Sequence, residues 1–93
     1  MFSYTYNKQN WEIKEQRNDD DYEVWIQPAG ETPEQVNAME QVVRHFEDND
    51  IYTDVMVYKH PQHRYQFIIR PEFYAFFFLS LLRNRILDSF TWK

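Results

Sequence analysis

Two stretches of this chain answer each other 43 positions apart. Asp21-Tyr22-Glu23-Val24-Trp25-Ile26-Gln27-Pro28 is echoed by Arg64-Tyr65-Gln66-Phe67-Ile68-Ile69-Arg70-Pro71, with Tyr, Ile and Pro coinciding and the other positions keeping their polar or apolar character. Each stretch alternates as a strand does and closes on a proline, which lacks the amide that a continuing ladder would need. Each is preceded by a second strand-like segment and followed by a helix-like one. That shared order, more than the three identities, points to a duplicated ββα unit, the first spanning about 11–49 and the second about 51–92.

In the first unit Trp11 and Ile13 alternate with Glu12 and Lys14, and Arg17-Asn18-Asp19-Asp20-Asp21 turns the chain into Tyr22, Val24 and Ile26. Thr32-Pro33-Glu34-Gln35 has the form of a capping box with proline in the first helical position. Val36, Met39, Val42, Val43 and Phe46 then form one apolar stripe, leaving Glu40, Arg44 and Glu47 to solvent. In the second unit Ile51, Val55 and Val57 alternate with Tyr52, Met56 and Tyr58, and His60-Pro61-Gln62-His63 turns the chain into Arg64–Arg70. An offset of 43 sets Trp11 and Ile13 against Asp54 and Met56 rather than the valines. The two hairpin loops are therefore expected to differ by one residue, which flips the strand faces.

The expected architecture is α+β, in the order ββαββα. It has a four-stranded antiparallel sheet, both helices on one face, and a pseudo-twofold relation between the halves. The second helix is the unusual element: nine of the ten residues from Phe73 to Leu82 are apolar. Arg83-Asn84-Arg85 interrupt it far short of the ~20 apolar residues that span a bilayer, so no membrane span is expected. Phe76, Leu79, Ile86, Leu87 and Phe90 share one side and persist to the end of the helix, which marks them as the core face, with Arg83 reaching from within it to the edge. Phe73, Tyr74, Phe77, Phe78 and Leu81 make a second apolar side. A chain of 93 residues has little room to cover a helix all round, so Tyr74, Phe77, Phe78 and Leu81 are expected to form an intermolecular surface.

The sheet adds to that expectation. If Val24, Ile26, Val55, Val57, Phe67 and Ile69 face the helices, then Trp25, Tyr52, Met56, Tyr58 and Ile68 face the other way and need a cover. A second copy, another protein or stacked bases would serve, as would Phe2, Tyr4 and Tyr6 folding over the face. Bases are disfavoured by a net charge of −5, although Lys59, Arg64 and Arg70 lie near these strands. The charge is uneven: residues 1–50 hold four Lys/Arg against twelve Asp/Glu, and residues 51–93 hold six against three. That division permits head-to-tail or partner electrostatics.

The chain contains no cysteine, which excludes disulfides and thiolate chemistry and fits a reducing cytoplasm. Its first residues lack the pattern of a secretory signal. His60 and His63 bracket Pro-Gln in a turn, and with His45 and Asp54 elsewhere they lack the spacing that aims imidazoles at one ion. The single glycine, Gly30, builds no phosphate loop. His45 with Ser80 or Ser89 matches no nucleophile motif. No cofactor or metal is expected. The expectation is a non-enzymatic regulatory or adaptor domain that forms a homodimer or binds another protein. Single-stranded nucleic-acid binding, and a small-molecule or enzymatic module with an enclosed aromatic pocket, stand as alternatives.

Overall fold

A computed structural model describes residues 2–30, 32–48 and 55–92, apart from the side chains of Phe2, Phe90 and Trp92. The elements run β1 (Phe2–Thr5), β2 (Trp11–Asn18), β3 (Asp21–Pro28), α1 (Pro33–Glu47), β4 (Val55–His60), β5 (Arg64–Ile69), a 3-10 turn at Pro71–Phe73, α2 (Tyr74–Arg83) and β6 (Ser89–Trp92). The four central strands form one antiparallel sheet in the order β2-β3-β5-β4, and β1 and β6 pair in a separate two-stranded sheet. The ββαββα core is as expected; β1 and β6 are additions to it. Tyr52, singled out above for the sheet face, lies outside the described residues, as do Ile51 and Asp54.

Both echoed segments are inner strands, and they lie side by side. Val24 pairs with Phe67, its own counterpart in the echo, with Tyr22 opposite Ile69 and Ile26 opposite Tyr65 on either side. A local twofold axis through the Val24–Phe67 pair therefore relates the two segments. Pro28 falls beyond the last β3–β5 pair, so its missing amide costs the ladder nothing there. The hairpin loops differ as the offset requires. Asp19 and Asp20 link β2 to β3, whereas Pro61, Gln62 and His63 link β4 to β5. The extra residue turns Val55 and Val57 toward the helices and Met56 and Tyr58 away from them. Both turns use positive φ at non-glycine residues, Asp19 in the first and Gln62 and His63 in the second.

On the helix side, Val24, Ile26, Phe67 and Ile69 are wholly buried, in one core cluster with Met39, Val42 and Phe46 of α1. The start of α1 is fixed by the capping box: the Gln35 amide donates to Thr32 Oγ1 at 3.3 Å, and Gln35 Oε1 accepts from the Thr32 amide at 3.4 Å and the Gly30 amide at 3.2 Å. Such a cap is worth ~1 kcal/mol.

α2 corrects the sequence reading. Tyr74, Phe77, Phe78 and Leu81 are core residues of the single chain, whereas Phe76 and Leu79 are about half exposed (52% and 48%). The Phe77 ring lies 4.8 Å from Phe67 of the sheet, 5.6 Å from Phe46 of α1 and 5.4 Å from Phe78. The cause is where the helix stops. A helix running to Phe90 would favour the stripe that includes Ile86, Leu87 and Phe90, but α2 ends at Arg83. Over ten residues, the i, i+3, i+4, i+7 set Tyr74, Phe77, Phe78 and Leu81 outweighs Phe76 and Leu79, which share their side with Arg83.

The stop is a Schellman motif. The Arg85 amide donates to the Leu82 carbonyl at 3.1 Å and the Ile86 amide to the Leu81 carbonyl at 2.9 Å, with Arg85 at φ 62°. Asn84 Nδ2 adds a bond to the Ser80 carbonyl at 2.8 Å. Ile86 and Leu87 then enter the core from the loop rather than from a helix face, and the chain returns as β6 to pair with β1.

The N-terminal aromatics also take the helix side. Tyr4 packs on Phe78 at 5.0 Å, and Tyr6 donates to the Ile13 carbonyl at 3.4 Å. They do not fold over Trp25 and Tyr58. Glu15, opposite Val24, points to the same side and accepts hydrogen bonds from the hydroxyls of Tyr4 and Tyr74. Burial, with the nearby Glu15 charge, pushes the Tyr4 hydroxyl well above the usual tyrosine range.

Candidate interaction surface

Alternation places Glu12, Lys14 and Gln16 of β2, Glu23, Trp25 and Gln27 of β3, Arg64, Gln66 and Ile68 of β5, and Met56, Tyr58 and His60 of β4 on the face away from the helices. No described element crosses this face. Of the residues singled out in the sequence, Trp25, Met56, Tyr58 and Ile68 meet here; Tyr74, Phe77, Phe78 and Leu81 do not, being interior. Met56 and Tyr58 are the most exposed of the four, at 49% and 47%, and Trp25 and Ile68 are partly covered by their neighbours.

The centre of the face is a buried carboxylate, which the sequence reading passed over. Glu23 is only 6% exposed. One of its oxygens accepts from Gln16 Nε2 at 3.0 Å, and the other accepts from Trp25 Nε1 at 2.5 Å and Gln66 Nε2 at 3.0 Å. The bond from Gln16 does most to hold the Glu23 carboxyl below the usual range; burial opposes it, and the Trp25 and Gln66 donors add to the lowering.

This bonding fixes the neighbours in turn. Gln66 must present its amide nitrogen to Glu23, so its oxygen faces His60 Nε2 at 3.0 Å, which requires a proton on that ring nitrogen. The Trp25 ring has the Arg64 guanidinium over it, 4.2 Å from its centroid, and the His60 ring at 4.9 Å. Lys14 sits beside Glu12 at 3.5 Å, and both border an open hollow of about 260 Å³ against Trp25 and Arg64. The face thus has a hydrogen-bonded polar centre and an apolar margin on β4.

Glu23 and Gln66 are counterparts at the echo's offset, so their bond follows from the same pairing that sets Val24 against Phe67. The sequence holds them only as two polar residues, each next to a tyrosine, on the echoed strands; the strand order brings them together.

Among the described residues, no three His, Cys, Asp or Glu side chains gather in a way that would hold a metal ion. His60 is engaged with Gln66 on the sheet, while His45 lies on α1. No described helix is long and apolar enough to cross a membrane. No family model, curated protein or solved structure matches the chain.

Proposed function

We propose that this chain is a non-enzymatic regulatory or adaptor protein of the cell interior that pairs with a second copy of itself through the open face of its sheet. The observation that carries this reading is the adjacency of Met56 and Tyr58, half exposed on β4, to a centre already ordered by Glu23. Side chains fixed before binding lose little entropy on contact, and an apolar margin next to them supplies the favourable burial. A twofold dimer brings the same patch of each copy together, so one face is sufficient for both.

The scale is modest. Strands about 4.8 Å apart, six or more residues long at about 3.3 Å each, make a platform about 20 Å on a side, at the small end of specific interfaces. The dimer is accordingly expected to have a micromolar rather than nanomolar dissociation constant. Bases fit the face less well: Trp25 already carries Arg64 on its ring, and Glu12 and Glu23 place carboxylates beside it. The absence of cysteine from the sequence supports an intracellular setting.

Sedimentation equilibrium across the micromolar range tests the proposal. The parent chain should move from monomer to dimer, and Met56→Asp should remain monomeric, with a melting temperature equal to the parent's at concentrations where the parent is also monomeric. A parent chain that stays monomeric throughout that range would remove the basis for self-association.

A further inference from the structure

The helix layer carries a second surface of different chemistry. Between α1 and α2 runs a groove of about 490 Å³, lined on one wall by Gln41, Arg44 and His45 and on the other by Phe76, Leu79 and Arg83. The first three lie at i, i+3 and i+4 on α1, and the others at i, i+3 and i+7 on α2, so each wall is a single helical stripe. Although acidic residues outnumber basic ones by 15 to 10 in the chain, no described carboxylate lines this groove. Neither Arg44 nor Arg83 has an ion-pair partner among the described residues. Phe76 and Leu79 are half exposed on the α2 wall.

We infer that this groove receives an acidic amphipathic helix of a partner protein, its apolar residues resting on Phe76 and Leu79 and its carboxylates meeting Arg44 and Arg83. Two helical stripes bordering one groove are a surface into which a third helix can pack, ridge into groove. The α2 wall from Phe76 to Arg83 spans about 10 Å, or two turns, which sets the length of the contact. Charge selects the partner: a basic helix would meet two guanidinium groups, while an acidic one satisfies both through charge-assisted hydrogen bonds. Arg44 also borders a neighbouring hollow containing Glu40, Glu47 and Asp48. Around the α1 axis Glu40 and Glu47 fall on the other side of Arg44 from Gln41 and His45, and they would repel an acidic helix that strayed from the groove. This surface is on the opposite side of the molecule from the open sheet face, so the two proposals fail independently.

The test uses the full chain and a fluorescent, capped peptide of about 14 residues with Leu at i, i+3, i+4 and i+7 and Glu on the flanks. Its counterpart carries Lys in place of Glu. Anisotropy titration should show saturable, salt-sensitive binding of the acidic peptide alone, weakened about tenfold or more by Arg44→Gln with Arg83→Gln. Phe76→Ser should weaken it comparably, whereas Met56→Asp should leave it unchanged. All these side chains are exposed, and melting curves confirm that each variant is folded. Equal binding of the two peptides, or equal binding by parent and arginine variant, would overturn the inference. So would a groove that takes laurate in an arginine-dependent way and ignores the peptide, since the occupant would then be a small amphiphile.

Discussion

Replacing Phe77 by alanine separates the two faces of α2 energetically. The Phe77 side chain has no exposed surface and touches the sheet, α1 and its own helix through Phe67, Phe46 and Phe78. Withdrawing such a ring forfeits about 2–3 kcal/mol of transfer free energy. A residual cavity of about 60–80 Å³ adds about 1.5–2 kcal/mol at ~24 cal/mol per Å³. The sum, ~4 kcal/mol, is a large part of the roughly 5–14 kcal/mol that stabilises a domain of this length. In urea, with a slope of about 1.5 kcal/mol/M, the midpoint should fall by about 2–3 M. Phe76→Ala, one position away but half exposed, should shift stability by no more than about 0.5 kcal/mol. Both measurements belong at one fixed protein concentration, because self-association adds to apparent stability. A small loss at Phe77 with a large one at Phe76 would restore the opposite face as core and refute the packing described here.

Two further outcomes follow from the backbone and the charges. Arg85→Gly should raise stability by ~1 kcal/mol in thermal melts, because Arg85 holds the left-handed conformation at the end of α2, where a Cβ is unfavourable. Glu23→Gln should be less stable than the parent at neutral pH, with the gap closing in acid. The folded-state pKa of Glu23 is depressed, so its contribution is present above the ordinary carboxylate value of about 4.5 and is lost as pH falls through the lowered one. Urea midpoints measured at several pH values between neutrality and acid check it.

Much of the fold was legible because its periodicities are strong. Trp11 and Ile13, the capping box at Thr32 and Gln35, and the stripe from Met39 to Phe46 each carry a local signal that tertiary packing did not override. The one-residue difference between hairpin loops was visible too, as a mismatch in the echo that only the valines resolved. The orientation of α2 was not legible, since Phe73–Leu82 is apolar on nearly every side and the choice of face depends on where the helix stops. That stop uses Arg85 at positive φ, where a glycine would have announced it. β1 and β6 escaped notice because each is four residues long and finds its partner at the other end of the chain. On the sheet face, the apolar margin was foreseeable from alternation, but the Glu23 centre needed the strand order before its three donors came together.

Isotope-filtered NOE spectroscopy on a mixture of labelled and unlabelled chains measures the proposed contact most directly. Intermolecular cross-peaks should connect the Met56 methyl and the Tyr58 ring to the sheet face of the other copy. Cross-peaks from Phe76 and Leu79 instead, with none from Met56 or Tyr58, would place the self-contact on the helix layer and contradict the account.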